Sequence, residues 1–427
     1  MMQQYEKYKD SGVDWIGEIP EGWNILKLKF LFKDVSIKNR PDLDLLSVTQ
    51  DQGVVPRSMV ENRMVMPNGN LESFKVISKG DFAISLRSFE GGLEYSEYEG
   101  LISPAYTVLK SQKEIIDNYF KFLFKSKAFI SELQLSIVGI REGKNISYEE
   151  LKYSYTPIPT LEEQQTIANF LDDKTAKIDQ TIAIKQKEIE LLKERRQILI
   201  QKAVTKGLDD TVTLKDSGVD WIGEIPEHWD CIKLKFLGNA IIGLTYSPND
   251  LCDSTEGKLV LRSSNLLEGR FVYGEKENAY VKTKIPEKLM IRENDILICS
   301  RNGSRDLIGK CAIAKSEDVG NSFGAFTTVF RSKYNQYLFC ILNSNIFKNL
   351  SGSFLTSTIN QLTIGNLYSI QVPIPPEKEM NQIRIYVTSI ESKISKAILL
   401  KQQEIEKLKE YKTVLIDNVV TGKVKVN

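Results

Sequence analysis

His228, five cysteines and the loop GSRDLIGK from Gly303 to Lys310 are the first groups in this 427-residue chain to test for chemistry. A lone histidine excludes a His-His metal pair and leaves a triad with one possible base. His228 also falls inside a repeat whose other copy has Gly22 at that place, so it serves nothing the copies share and reads as a surface residue. GSRDLIGK imitates a phosphate loop, but five residues rather than four separate its glycines, and Cys311 stands where a Ser or Thr would bind magnesium. It reads as a turn. The cysteines (Cys231, Cys252, Cys299, Cys311, Cys340) are odd in number and lack C-x-x-C spacing, which argues against a disulfide framework or zinc site and for small core residues. A nuclease set built from Pro41, Asp42, Glu142 and Lys144 spans a gap that favours chance, and no Asn-Pro-Pro or Asp-Pro-Pro followed by an aromatic occurs. The sequence displays no catalytic engine.

What the sequence does display is repetition. KDSGVDWIGEIPE runs from Lys9 to Glu21 and again, unchanged, from Lys215 to Glu227. Trp23 answers Trp229, and Lys27-Leu28-Lys29-Phe30-Leu31 answers Lys233-Leu234-Lys235-Phe236-Leu237, at the same offset of 206. A weaker echo sets Lys79–Arg87 against Glu293–Arg301 at 214, and the closing helices match at 216, from Lys185 and from Lys401. A repeat of this size governs the architecture. The runs DFAISLRSF, AYTVLK, KLVLRSS, DILICSR and AFTTVF are short, apolar or alternating and bounded by turn residues, as strands are.

Each copy closes on a long helix. Thr160-Leu161-Glu162-Glu163 has the spacing of a capping box. Behind it Ile178, Ile182, Ile189, Leu192, Leu199 and Ala203 keep one apolar face, which Ile394, Ile398, Ile405, Leu408, Leu415 and Val419 repeat. Two matching stripes on helices too long to be covered by a small domain are expected to pair as an antiparallel coiled coil, with two separate helical hairpins as the alternative. The expected fold is α+β: two pseudo-symmetric mixed, mainly β domains separated by two long helices. The boundaries read as residues 1–158 and 208–374 for the domains, and 159–207 and 375–427 for the helices with the tail. Pro376 replaces Thr160 and Met380 replaces Gln164 in the second copy, so its helix start is expected to be looser.

Fifty-seven basic against 56 acidic residues leave a net charge of +1, so any nucleic-acid surface must be local. No run of about 18 apolar residues suggests a membrane span, and the first residues lack a signal-peptide core; a cytoplasmic protein is expected.

The stretch DSGVDWIGEIPEGW, the segment SVTQDQGVVPR, the helix start PIPTLEEQQTIANFLDDKTAKIDQ and the two-copy layout together resemble the specificity subunit of Type I restriction-modification enzymes. That resemblance covers essentially the whole chain. It implies two target recognition domains, each reading half of a bipartite, asymmetric double-stranded DNA site, and helices that act as spacer and dock two methyltransferase subunits, with restriction subunits joining. It implies no cofactor on this chain; S-adenosylmethionine, Mg and ATP would sit on partner subunits. A self-sufficient modification or cleavage enzyme and a coiled-coil adaptor without DNA binding are the competing readings.

Base readout favours Arg for guanine and Asn or Gln for adenine, placed in loops of the variable domains. In the first copy these are Gln50, Gln52, Arg57, Arg87, Arg141, Lys144 and Asn145. In the second they are Arg262, Ser263, Ser264 and Asn265, then Arg301, Asn302, Ser304 and Arg305, then Ser357, Thr358, Asn360 and Gln361. Each could instead be a solvated loop residue or a phosphate clamp. Trp15, Trp23, Trp221 and Trp229, being identical in the two copies, cannot distinguish half-sites and are expected to pack the opening segment on its domain.

Overall fold

Asp10 and Asp216 each accept a hydrogen bond from the N–H of the glycine two residues on, at 2.9 Å in both cases, and so close the same turn in two places. In this computed structural model the repeated thirteen residues form identical hairpins, Tyr8–Asp10 with Glu18–Pro20 and Leu214–Asp216 with Glu224–Pro226, in one register. Gly12, Gly17, Gly218 and Gly223 adopt φ between +68° and +71°, which explains the spacing of glycine in the motif. The structure describes residues 3–60, 71–86, 88–138, 145–344, 347, 350 and 360–426, with backbone alone for 137, 138 and 145. Two compact units emerge: Met1–Gln186 with Gln402–Asn427, and Lys187–Lys401.

Each unit is built on one antiparallel four-stranded sheet. In the first the order is Phe32–Val35, Thr107–Ser111, Phe82–Ile84, Glu94–Tyr95; in the second it is Asn239–Ile242, Thr327–Arg331, Ile296–Cys299, Cys311–Ile313. All five runs expected to be strands contain one. The weak echo at offset 214 is real. Asp81 and Asp295, both buried, each take the N–H three residues back at 2.9 Å, around a positive φ at Gly80 or Asn294. A second pairing also recurs, Asn24–Lys27 with Tyr155–Ile158 and Asp230–Lys233 with Gln371–Ile374. Buried Tyr119 and Tyr337 reach the carbonyls of Pro157 and Pro373 at 3.1 and 2.9 Å, fixing a short helix to this pair in each unit. The second unit has another four-stranded sheet, with Lys258–Leu261 parallel to Ser322–Phe323.

The long helices are Leu161–Lys206 and Glu377–Val420. In the first unit Asp179 pairs with Lys412 and Lys185 with Glu404; in the second Glu188 pairs with Lys401. As one number rises the other falls, so the helices run antiparallel, and neither folds back as a separate hairpin. Every residue of both apolar stripes is buried or half-buried. Each such Leu or Ile contributes roughly 1.5–3 kcal/mol when fully covered.

The second helix start is not looser. The N–H of Met380 donates to Pro376 O at 3.0 Å, as that of Gln164 does to Thr160 O at 2.8 Å. Buried Gln164 accepts from Ile116 N–H and donates to Pro159 O, whereas Met380 takes the same place as a buried apolar side chain. Thr160 Oγ1 caps Glu163 N–H at 3.3 Å, but the Glu163 carboxylate accepts from Tyr5 Oη, giving half of the expected capping box. In the second copy Glu379 accepts from Trp229 Nε1 at 2.9 Å and lies 2.8 Å from His228 Nε2.

The helix ends are exchanged between the copies. Trp23, of the first copy, packs against Gly422 after the second helix, and Trp229 against Gly207 after the first. Both glycines have positive φ, 75° and 77°, as C-terminal helix caps require. Both tryptophans are buried, as expected of residues that pack the opening segment. Trp15 is half-buried, its ring edge-on to Phe129 at 5.7 Å. Cys299, Cys311 and Cys340 are buried, Cys231 and Cys252 half-buried, and all five are free. Among the described residues no His, Cys, Asp and Glu cluster fits a metal ion, and no helix is long and apolar enough to cross a membrane.

Candidate nucleic-acid interface

The strand Ile296–Cys299 is apolar throughout and wholly buried, so the chain turns polar where it leaves the sheet, at Arg301 to Arg305. Three of the candidate segments of the second copy meet there. Asn302 Nδ2 donates to Ser263 Oγ at 3.0 Å, Asn360 Nδ2 donates to Gly303 O at 3.1 Å, and Arg301 forms an antiparallel bridge with Gln361. Asn302 Oδ1 accepts the Ser304 N–H at 2.9 Å and holds the turn. Arg301, Ser304 and Arg305 are exposed at its rim, and Arg305 opens the 3-10 turn Arg305–Leu307 inside GSRDLIGK. That loop is a turn, as the sequence suggested.

One candidate is corrected. Asn265 is fully buried: its Nδ2 donates to Val272 O and Asn278 Oδ1, and its Oδ1 accepts from Arg262 N–H. An amide with both ends satisfied inside the fold presents nothing to a base. Arg262 is half-buried, its Nη2 donating to Glu277 O at 2.9 Å, so it also anchors the loop carrying Lys276. Ser264 Oγ donates to the same carbonyl at 3.2 Å. Ser357 and Thr358 lie outside the described residues.

Beside this turn lies a concavity of 590 Å³ lined by Tyr246, Arg262, Ser263, Ser264, Lys276 and Phe326, among others. Phe326 is 62% exposed, and the Arg301 guanidinium sits over its ring at 5.4 Å from the centroid. Phe326 O accepts from the N–H groups of Ser300 and Arg301 and from Ser300 Oγ, which locks the backbone beneath the ring. Sequence reasoning missed Tyr246, Lys276 and Phe326. The available signal was Gly324-Ala325, a turn that places Phe326 before the strand Thr327–Arg331 rather than within it.

In the first copy Gln50 and Gln52 are exposed at the tip of the hairpin Leu46–Thr49 with Gly53–Pro56, and Arg57 is half-exposed at its far end. The short helix Ser88–Gly91 lies against Gln50 and against the strand Asn145–Ile146. Thus Gln50 and Asn145 converge on the segment that leaves the central strand, as Ser263 and Gln361 do in the second copy. Arg87, Arg141 and Lys144 lie outside the described residues, as do Glu142 and with it the nuclease set; Asp42 pairs with Arg40 at 2.7 Å on the surface. Beneath the hairpin Lys125 Nζ donates to Gln50 O, Gly91 O and the buried carboxylate of Glu94. Burial pushes the Glu94 carboxyl up to about 7, against the pull of the Lys125 ammonium.

The family described as Type I restriction modification DNA specificity domain matches twice, over residues 20–194 and 226–410. The chain belongs to that family. Among curated relatives, the Type I restriction enzyme MjaVIII specificity subunit of Methanocaldococcus jannaschii is 26% identical over 365 residues, covering 82% of this chain and 80% of its own length. The EcoKI specificity subunit of Escherichia coli is 22% identical over 413 residues, covering 90% and 86%. Among solved structures, a chain from work on complex assembly and conformational transition of a type I R-M system superposes with a TM-score of 0.72 at 13% identity, covering 94% of this chain and 98% of its own. The HsdS subunit from Thermoanaerobacter tengcongensis gives a TM-score of 0.53 at 14% identity, covering 95% and 98%. As a Type I specificity chain with two recognition domains this protein is noncatalytic, catalysis in such systems lying in other subunits.

Proposed function

We propose that this chain reads a bipartite, asymmetric site in double-stranded DNA, one half per recognition domain, and scaffolds two methyltransferase subunits together with restriction subunits. The observation that carries this reading is the pairing of one scaffold with two different rims. The central sheets, opening hairpins and helix starts correspond, while the exposed or half-exposed side chains around the segment leaving the central strand differ, Gln50, Gln52 and Arg57 in one copy and Arg301, Asn302, Arg305, Asn360 and Gln361 in the other. Equal frames with unequal rims suit two readers of different bases. In this reading residues 1–158 and 208–374 are the recognition domains, and 159–207 and 375–427 are spacer helices. S-adenosylmethionine, Mg and ATP belong to the partner subunits, and the complex works in the cytoplasm, where its DNA is.

The test is selection from a random DNA library by the chain assembled with its methyltransferase. Two separated blocks of preference are expected, and exchange of residues 30–155 for those of a relative changes one block alone; simultaneous change in both overturns the division of labour. Incubating the chain alone with labelled S-adenosylmethionine and DNA should transfer no label. Failure to retain DNA at low salt, with or without the methyltransferase, would leave only the adaptor reading.

A further inference from the structure

Resting on that reading, we propose that Arg301 and Phe326 act as one reading element, which takes a guanine whose neighbouring step carries a thymine methyl. A phenylalanine ring this exposed forgoes the stabilisation that burial would give it, and here the backbone on both sides is clamped rather than loose. The guanidinium lies over the ring and makes no ion pair among the described residues, which leaves its fork to a ligand. A fork of this kind matches guanine O6 and N7 in the major groove, and an apolar ring edge beside it matches the 5-methyl group of thymine.

At this position the ring also belongs to one copy alone. Phe82 opposes Leu109, and its equivalent at offset 214, Ile296, opposes Phe330. Leu109 therefore corresponds to Phe330, and four residues earlier Ala105 corresponds to Phe326. A surface meant for something both halves share would recur, as the exposed pair Phe30 and Phe236 does with Lys29 and Lys235 over the rings. An element present once discriminates.

The experiment uses the assembled complex and the half-site that exchange of residues 30–155 leaves unchanged. That half-site is expected to contain guanine with thymine at an adjacent step on either strand. Replacing that thymine by deoxyuridine, which deletes only the methyl group, should weaken binding about three- to tenfold. Phe326→Ala should show no difference between thymine and deoxyuridine, and Arg301→Ala should relax the preference for guanine about ten- to a hundredfold, with Arg301→Lys recovering part of it. A half-site with strong preferences but no such step overturns the element and leaves the two-domain reading intact. Loss of methyltransferase from the Phe326→Ala or Arg301→Ala complex, with base preference unchanged, makes the patch a protein contact and overturns it too. Absence of any preference in that half would instead defeat the reading on which the element rests.

Discussion

Lys185 and Lys401 are the same residue of two copies, and each reaches a carboxylate that is likewise one residue of two copies: Lys185 lies 2.5 Å from Glu404, and Lys401 lies 2.6 Å from Glu188. An offset of 216 carries one pair onto the other. The lysines sit in the heptad series of the apolar stripes, between Ile182 and Ile189 and between Ile398 and Ile405, with Lys185 only 21% exposed. A polar seam residue paired across the seam helps fix register and direction.

Charge reversal tests this directly. Lys185→Glu should destabilise the first unit by about 1–2 kcal/mol, since it sets two carboxylates against each other, and adding Glu404→Lys should restore most of the loss. Denaturant titration of the two single variants and the double variant measures the coupling.

The same pairs locate the point where the helices can be lengthened with least disturbance. Seven residues inserted after Lys187 and seven after Gln403 leave both ion pairs on their own sides and keep the stripes in phase. The insertion adds roughly 10 Å of helix, near the rise of three base pairs. Library selection should return a gap between half-sites about three base pairs longer; an unchanged gap from a soluble, assembled protein means that the helices do not set it.

Glu94 predicts a pH dependence. Burial favours its neutral form, so its contribution to stability is full below the ordinary value of 4.5 and is lost as pH rises to about 7. Melting temperatures of the wild-type protein minus those of Glu94→Gln should fall across that window and level off above it.

Asn265→Ala should behave as a core lesion. Removing an amide that satisfies three partners in a buried site costs about 2–3 kcal/mol. The folded remainder should keep the base preference of the parent in library selection, whereas a relaxed preference at one position would return Asn265 to the readers.

The frame was legible in the sequence because it is written twice: chance does not repeat thirteen residues, nor two apolar stripes at one offset. The helix direction followed from the stripes, and the strands from their turn-bounded runs. The rim was less legible. Asn265 has a residue type that reads bases, yet it is buried against a loop, Gly274 to Asn278, whose path depends on contacts distant in sequence, and that same loop takes one hydrogen bond from Arg262. Phe326 was hidden for the opposite reason, since an aromatic beside a strand reads as core unless its facing neighbour is known. At Met380 the sequence showed a departure and the fold shows an equivalent: an apolar side chain fills the space of Gln164 without needing its hydrogen bonds.

The exchange of helix ends, Gly422 under Trp23 and Gly207 under Trp229, means that neither repeat is a finished object on its own. A chain stopped just after Gly207 would carry Trp23, Lys185 and Glu188 and would end in the helix terminus that Trp229 now receives. Two such half-chains could each lend that terminus to the other and form both ion pairs, Lys185 of one with Glu188 of its twin, twice. The product would be a homodimer with one kind of rim, and the DNA text it answered to would read the same on both strands. On the proposed reading, fusing the two halves into one polypeptide would free the second rim to diverge, and so turn a palindrome reader into a reader of two unrelated words.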